Sequence, residues 1–308
     1  MRGLGWLWLG VPVVGLVELL GHLYFAGRAP REAEWRELRP VIERLRQQDE
    51  LVIVAPYWAE PLARQALGDG LMPVAQVARP DESAFPRAIE VSVMGQRAPE
   101  LRDWAEVAVE RAGRFRLRVL QNPAPASVGF DFVSGLRPGR VAVQHGEFPR
   151  LEDCPFRGDY APDAGGLHGS LAFPAERFGC GGPDQFVGIT IVEDDRYRPH
   201  RCIWAPPPVR GARVIRYRDV PLATRIHGHT ATSWFLMRDR ETAPIEVTIR
   251  VGGDVVGTVT HYDARGWTSW HPFEFELGAH ANRTSDVVFE VESDDPENRQ
   301  FCFEADTR

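Results

Sequence analysis

The clearest structural signal in this chain is the alternation of apolar and polar residues in Ile245-Glu246-Val247-Thr248-Ile249-Arg250-Val251. Successive side chains of a strand point to opposite faces of a sheet, so this pattern predicts a strand with one buried and one solvated face. The pair Gly252-Gly253 then predicts a hairpin into a second strand at residues 255–261.

The rest of the second half shows more strand and turn patterns and no convincing helix. Further strands are predicted at residues 140–144, 186–192, 214–217, 273–277, 287–291 and 301–305. About eight strands are typical of a two-sheet β-sandwich of the jelly-roll type. We therefore expect an all-β domain at residues 127–308, preceded by a linker at residues 122–126 with the sequence Asn-Pro-Ala-Pro-Ala.

Residues 30–121 have a different pattern, in which helices and strands alternate. Apolar residues recur at helical spacing over residues 35–45, and Leu51–Ala55 is a continuous apolar run typical of a strand buried on both faces. Strands are also predicted at residues 72–78 and 88–94, and a hairpin at residues 107–121. This order predicts a small α/β layer domain with a partly parallel sheet.

Residues 4–26 are almost all apolar and contain no Arg or Lys. As a helix they would span about 34 Å, which is enough to cross a membrane. We therefore expect a single transmembrane helix, with residues 1–29 as a membrane anchor; a cleaved signal peptide is the alternative. Glu18 and His22 share one face of this helix, where they could bind a multi-helix membrane transferase as a partner. In the alternative, both lie towards the outer end of the helix, within reach of headgroups and water.

The four cysteines, Cys154, Cys180, Cys202 and Cys302, all lie in the second half of the chain. An even number at wide spacing fits two disulfides in an oxidising compartment, although four buried free thiols are an alternative. Three pairings are possible. We favour Cys154–Cys180 with Cys202–Cys302, because the first would close a glycine-rich loop. The cysteines favour a folded part of the chain that lies in the periplasm or outside the cell and is held at the inner membrane. The Arg residues after the apolar segment favour the opposite orientation.

Two parts of the chain resemble known families. Residues 35–121, with Asp49-Glu50-Leu51-Val52-Ile53-Val54-Ala55-Pro56, resemble the soluble α/β segment of polyprenyl-phosphate-dependent glycosyltransferases. Those enzymes carry their catalytic residues between many membrane helices, so the resemblance implies no catalytic residue here. The C-terminal body resembles galactose-binding-like jelly-roll domains, which implies carbohydrate binding or docking; the resemblance rests on residues 244–257, Arg265-Gly266-Trp267 and Phe301-Cys302-Phe303.

Candidate ligand residues in the α/β domain follow two of its predicted strands. Trp58 and Glu60 follow one strand, and Arg79 and Asp81 follow another. If the strands are parallel neighbours, both loops open at the same sheet edge, where such sheets bind ligands. In the alternative, Trp58 packs in the core, while Arg79 and Asp81 cap the turn at Pro80.

The sandwich domain is unusually rich in aromatic side chains. Rigid aromatic residues with polar tips can stack on sugars, and the candidates are Trp234, Tyr262, Trp267, Trp270 and His271. Trp267 and Trp270 would face opposite ways in an extended segment, so one is expected in the core and one exposed. His227 and His229 could lie on one side of a strand, with His261 near them, but no carboxylate pattern adjoins them and no metal is predicted. The segments Glu193-Asp194-Asp195 and Ser293-Asp294-Asp295 are interpreted as solvated turns rather than calcium loops.

The net charge and the absence of several sequence motifs exclude some classes of function. The net charge is −7 and there is no basic cluster, so nucleic acid is not an expected partner. The sequence contains no GxGxxG opening a helix, GxxxxGK, GxSxG or HExxH pattern, so neither a cofactor nor a catalytic residue is predicted. We expect a membrane-anchored, extracytoplasmic binding or scaffolding protein of cell-envelope glycan assembly that binds carbohydrate. The alternative is an accessory subunit or enzyme of polyprenyl-linked glycosyl transfer that uses the α/β-domain crevice.

Overall fold

The computed structural model describes residues 7–27, 29–47, 50–160, 173–182, 184–232, 243–262, 270–296 and 299–308. The chain divides into two compact units. The first unit comprises Met1–Gln76 and Phe85–Pro125, and the second comprises Val77–Ala84 and Ala126–Arg308. The second unit therefore includes a short segment that the sequence places within the α/β domain.

The first unit contains helices and a four-stranded sheet. Its elements in chain order are α1 (Leu7–Ala26), α2 (Glu32–Leu45), β1 (Leu51–Ala55), α3 (Glu60–Leu67), α4 (Val74–Val77), β2 (Arg87–Ser92), β3 (Ala105–Ala112) and β4 (Phe115–Gln121). The sheet order is β1-β2-β4-β3, and β1 and β2 pair in parallel while the other pairs are antiparallel. The partly parallel sheet expected from the sequence is present.

One predicted strand of this unit is replaced by a helix, and the predicted membrane span is not supported. Residues 72–78 were expected to form a strand, but they contain the short helix α4. Pro73 directly precedes this helix, where its fixed φ angle and missing N–H favour a helix start. Among the described residues, no helix combines the length and the apolar character needed to cross a membrane, so the transmembrane helix expected at residues 4–26 is not supported.

The second unit is built from two sheets. Its strands are β5 (Phe130–Asp131), β6 (Val141–Glu147), β7 (Arg150–Asp153), β8 (Phe156–Arg157), β9 (Arg177–Gly179), β10 (Phe186–Glu193), β11 (Pro199–Trp204), β12 (Ala212–Pro221), β13 (Arg225–Thr232), β14 (Ile245–Val251), β15 (Asp254–His261), β16 (Trp270–Glu276), β17 (Thr284–Ser293) and β18 (Phe301–Thr307). The eight-stranded sheet has the order β16-β13-β18-β11-β10-β9-β8, with β5 beside β18. The six-stranded sheet has the order β15-β14-β17-β12-β6-β7.

The two sheets enclose one hydrophobic core. Ile245, Val247 and Ile249 of β14 are buried in the same cluster as Phe301 and Phe303 of β18, which belongs to the other sheet. The alternating pattern of β14 therefore has the predicted cause, and the predicted β-sandwich is confirmed. Other side chains of β18 point away from this core, and they form the site described below.

Both disulfides pair the cysteines as the sequence favoured. Cys154 and Cys180 have a Cα–Cα distance of 4.7 Å, and Cys202 and Cys302 one of 5.9 Å. The second bridge joins the neighbouring strands β11 and β18, whose register contains the pairs Ile203–Phe303 and Trp204–Cys302.

Candidate functional site

One part of the site comes from Val77–Ala84, which belongs to the second unit although it precedes β2 in sequence. We call it the 77–84 segment. The backbone N–H of Arg201 donates to the carbonyl oxygen of Ala78 at 2.8 Å. Nδ1 of His200 donates to the carbonyl oxygen of Arg79 at 2.9 Å, and Nε1 of Trp270 donates to that of Pro80 at 3.2 Å. Side chains and backbone of β11 and β16 thereby hold the segment in place.

Two neighbouring strands of the eight-stranded sheet place four polar side chains on one face. On β18, Glu304 and Asp306 alternate with residues of the sandwich core. On β13, His229 lies directly opposite Glu304, and His227 lies directly opposite Asp306. Because side chains at paired positions share a face, all four lie on the side of the sheet away from the core.

Asp81 and Arg308 complete a group that we call the Asp81 cluster; its members are Asp81, His227, His229, Glu304, Asp306 and Arg308. Oδ2 of Asp81 lies 3.2 Å from Nη2 of Arg308 and 3.8 Å from Nε2 of His227. Nε of Arg308 donates to Oδ1 of Asp306 at 2.7 Å. Nδ1 of His229 is hydrogen-bonded to Oε1 of Glu304 at 2.5 Å.

Asp81 is held by its neighbours and carries a stabilised negative charge. Burial alone would raise its pKa, but hydrogen bonds from Ser83 and the charge of Arg308 lower the pKa below its ordinary value. Oδ1 of Asp81 accepts from the backbone N–H and the hydroxyl of Ser83, and Nη1 of Arg308 donates to the same hydroxyl at 2.6 Å. The carboxylate is therefore fixed on two sides.

The His229–Glu304 pair is more deeply buried, with side-chain exposures of 9% and 3%. Burial lowers the pKa of His229 to about 4. Burial, together with the negative charges of Asp306 and Asp81, raises the pKa of Glu304 well above its ordinary value. Both shifts favour the uncharged form of each side chain at neutral pH.

His227 is placed differently from His229. Its Nδ1 is buried and has no hydrogen-bond partner among the described residues. Its Nε2 lies 3.8 Å from Oδ2 of Asp81, which is too far for a hydrogen bond. Burial and the charge of Arg308 lower the pKa of His227, although Asp81 acts in the opposite direction.

Trp270 forms the centre of a stack of three rings beside the cluster. The ring of His200 is 4.1 Å from the Trp270 ring with an interplanar angle of 12°, and that of His229 is 5.3 Å away at 14°. His200 in turn has Nε2 3.3 Å from Oδ2 of Asp194. The stack fixes the orientation of the His229 ring.

Three of the aromatic residues expected to form a sugar platform are described: Tyr262, Trp270 and His271. Trp270 is only 8% exposed, and its neighbour in β16, His271, lies 5.1 Å from the buried ring of His261. Tyr262 is 44% exposed at the end of β15. Trp234 and Trp267 lie outside the described residues. Trp270 is buried, whereas Trp267 lies outside the described residues, so the sugar platform stays a prediction.

The four residues expected at one edge of the α/β sheet are divided between the units. Trp58 and Glu60 follow β1 in the first unit, whereas Arg79 and Asp81 belong to the second. Arg79 and Asp81 precede β2 and follow a helix, so the parallel-strand argument that grouped the four residues does not apply. Trp58 is 50% exposed, whereas the alternative had placed it in the core. Arg79 pairs with Glu82 at 2.8 Å.

Sequence reasoning did not identify Glu304, Asp306 or Arg308 as site residues, and it did not predict β13 as a strand. The sequence does contain one indication of this site, which is the equal spacing of two pairs of polar residues. The spacing of His227 and His229 matches that of Glu304 and Asp306, so each pair lies on one face of its strand. The pairing of β13 with β18, which brings the carboxylates to the histidines, involves positions about 75 residues apart.

Comparison with known proteins adds little to this description. No family model matches the chain, and no curated protein sequence is similar to it. Among solved structures, the CBM51-2 and INT domains of Clostridium perfringens ZmpB in complex with GlcNAc match with a TM-score of 0.29 and 9% identity, over 54% of this chain and 37% of that chain. A carbohydrate-binding module specific for non-crystalline cellulose, CBM28, matches with a TM-score of 0.26 and 10% identity, over 41% of this chain and 82% of that chain.

A family 6 carbohydrate-binding module matches with a TM-score of 0.25 and 11% identity, over 50% of this chain and 98% of that chain. The solved structures named here are thus carbohydrate-binding modules or contain one. Similarities with TM-scores this low carry no functional argument.

Proposed function

We propose that the second unit is a binding module for a carbohydrate or another polyhydroxylated ligand, and that the Asp81 cluster is its binding site. The observation that carries the proposal is the pair of adjacent, partly exposed polar side chains at Asp81 and His227, with exposures of 23% and 15%. A sugar hydroxyl both donates and accepts hydrogen bonds. A carboxylate beside an imidazole offers an acceptor and a donor to neighbouring hydroxyls.

The rigid setting of these side chains supports the proposal. Asp81 is fixed by Ser83 and Arg308, and Arg308 is fixed by Asp306. Side chains that are ordered before binding lose little conformational entropy when the ligand arrives. The cluster is therefore suited to bind a small polar ligand without rearrangement.

Isothermal titration of the full chain against a panel of monosaccharides and oligosaccharides tests the proposal. We expect at least one sugar to bind, and Asp81→Asn and His227→Gln each to weaken that binding at least tenfold. Asp254→Asn is the matched control, because Asp254 also faces a histidine, with 3.2 Å between its Oδ2 and Nε2 of His280, but lies outside the cluster. Absence of sugar binding by the wild-type protein, or equal binding by all variants, would overturn the proposal.

Aromatic contact with the same ligand is a second part of the proposal. Tyr262 is the described candidate because it is 44% exposed, and Trp234 and Trp267 stay predictions from the sequence. If they contact the sugar, Tyr262→Ala, Trp234→Ala or Trp267→Ala reduces its affinity while the protein remains folded. Unchanged affinity in all three variants would restrict the site to the Asp81 cluster.

We also propose that the protein works outside the reducing cytoplasm, in the assembly of cell-envelope glycans. The two disulfides support the compartment, because such bonds persist in oxidising surroundings. A membrane-impermeant maleimide added after denaturation of non-reduced cell extracts tests it. We expect no labelling of the four cysteines, and full labelling would refute the proposed compartment.

A further inference from the structure

The Asp81 cluster contains three side chains of the types that bind transition metals. Asp81, His227 and His229 each offer one ligand atom, and these atoms all lie within 4.8 Å of one another. Two ligands of one tetrahedral zinc ion are about 3.3 Å apart when each bond is about 2.0–2.1 Å long. The 3.8 Å between Oδ2 of Asp81 and Nε2 of His227 is close to that separation. A bound tetrahedral ion would draw these donors together from separations of up to 4.8 Å to about 3.3 Å.

Glu304 and Trp270 orient His229 as a ligand. In the tautomer of His229 that carries its proton on Nδ1, this N–H donates to Oε1 of Glu304, and the lone pair of Nε2 is available to an ion. Histidine ligands commonly donate their second N–H to a carboxylate in this way, because the bond fixes the tautomer and the ring orientation. The parallel stack with Trp270 further restricts rotation of the imidazole.

The Nε2 atom of His227 is the nitrogen that could bind the ion. It lies 3.8 Å from Oδ2 of Asp81, which is too far for a hydrogen bond, so the neighbouring carboxylate does not occupy it. Coordination through Nε2 would give this imidazole a strong interaction. Its other nitrogen, Nδ1, is buried without a hydrogen-bond partner among the described residues and is not the atom that faces Asp81.

The charges of the cluster also favour a divalent cation. Three carboxylates, those of Asp81, Glu304 and Asp306, lie close to one guanidinium, that of Arg308. Glu304 is uncharged at neutral pH, so Asp81 and Asp306 carry two negative charges against the single positive charge of Arg308, and this excess of negative charge favours a cation. Arg308 does not exclude the ion, because each carboxylate oxygen has more than one lone pair and Oδ2 of Asp81 can bind both.

We infer that Asp81, His227 and His229 bind one divalent transition-metal ion of the zinc type. Two imidazoles and one carboxylate suit Zn²⁺ and neighbouring ions rather than Ca²⁺, which takes six to eight oxygen ligands. Three protein ligands leave at least one position for water or a ligand oxygen. The inference deepens the proposed function by giving its site a metal, and it rests on that function only in placing ligand binding at this cluster.

Metal binding to the untagged full chain tests the inference. After chelation and dialysis, we expect the wild-type protein to bind one Zn²⁺ per chain in isothermal titration, and Co²⁺ to give visible absorption bands of a protein-bound ion. His227→Gln should weaken Zn²⁺ binding more than 100-fold. Glu304→Gln, which alters only the partner of a ligand, should weaken it about 10- to 100-fold.

His280→Gln is the matched control, because His280 is also partly exposed and faces Asp254 at 3.2 Å. This variant should bind Zn²⁺ as the wild type does. Circular dichroism of each variant, measured without metal, separates loss of the ligand from loss of the fold; Asp81→Asn provides a second ligand variant if His227→Gln does not fold. The inference is overturned if the wild-type protein binds no Zn²⁺, or if His227→Gln and Asp81→Asn bind it unchanged.

The sugar titration, repeated with and without Zn²⁺, keeps the two proposals apart. Zn²⁺ binding without any sugar binding would leave the metal site standing and refute the proposed function. Sugar binding that needs no metal, in a protein that binds none, would support the function and refute the metal site.

Discussion

His229 and Glu304 face each other across two adjacent strands, with Nδ1 of His229 2.5 Å from Oε1 of Glu304. Both side chains are almost fully buried, and both belong to the face of the sheet that points away from the sandwich core. The pair therefore joins β13 to β18 by a side-chain hydrogen bond in addition to the backbone ladder.

Replacing Glu304 by Ala should lower the free energy of unfolding by about 3 kcal/mol, because it leaves a buried imidazole nitrogen without a partner. Chemical denaturation monitored by circular dichroism measures this change. The pair of His280 and Asp254, in which Asp254 is exposed, provides the comparison, and Asp254→Ala should have no measurable effect. Equal destabilisation in the two variants would show that burial of the His229–Glu304 pair does not matter.

Asp194 should make stability depend on pH in the acid range. Burial alone would raise its pKa, but hydrogen bonds from His200 and from the backbone of Arg198, with the charge of Arg198, lower the pKa from 3.8 to about 2. A lowered folded-state pKa stabilises the protein above the unfolded value of 3.8, and this contribution is lost as pH falls through 2. Its size is about 2 kcal/mol.

Urea denaturation of the wild type and of Asp194→Asn between pH 5 and pH 2 tests this dependence. The wild type should be the more stable at pH 5, and the difference should shrink towards zero at pH 2. A difference that stays constant over this range would exclude the ionised carboxylate as its source.

Gly228 lies between His227 and His229, at a place where β13 approaches β18 closely. A Cβ atom there would collide with the carbonyl oxygen of Glu304 and with the Phe273 ring. Gly228→Ala should therefore lower the thermal unfolding temperature by several degrees and weaken any ligand binding at the cluster. Gly70→Ala is the control, since a Cβ at Gly70 meets no atom within 4 Å. Equal unfolding temperatures for the two variants would contradict the close approach.

The two disulfides should differ in their contribution to stability. Their sequence separations are 26 for Cys154–Cys180 and 100 for Cys202–Cys302. In the chain-entropy model, the bridge that closes the longer loop stabilises the folded protein by about 4.7 kcal/mol, and the bridge that closes the shorter loop by about 3.5 kcal/mol. Denaturation of the two double Cys→Ala variants should show the larger loss for Cys202→Ala/Cys302→Ala. The reverse order would show that native-state packing outweighs loop closure.

The sandwich was predictable because its core strands carry their information locally. In β14 every second residue is apolar, and the period of two alone indicates a half-buried strand. β13 gave no such signal, because its inner face carries Gly228 and Thr230 beside Ile226, and its outer face carries the two histidines. When polar side chains on the outer face of a strand are covered by another part of the chain, the sequence of that strand does not have to alternate between apolar and polar residues.

The candidate site was only partly predictable for a related reason. Asp81 was singled out, but beside Trp58 and Glu60, because position in the sequence suggested a loop of the α/β sheet. Its contacts with Arg308 and His227 depend on the position of residues 77–84 in the folded protein, and no local sequence pattern predicts that position.

The 77–84 segment has a consequence for how the protein is made. During synthesis these residues leave the ribosome well before β11, β13 and β18 have been made. The carbonyl groups of Arg79 and Pro80 therefore lack their later partners, His200 and Trp270, in the nascent chain. Neither unit is a continuous stretch of polypeptide, and a fragment beginning at the linker would lack Asp81. A premature stop or a domain-wise truncation would thus yield a body without a complete site.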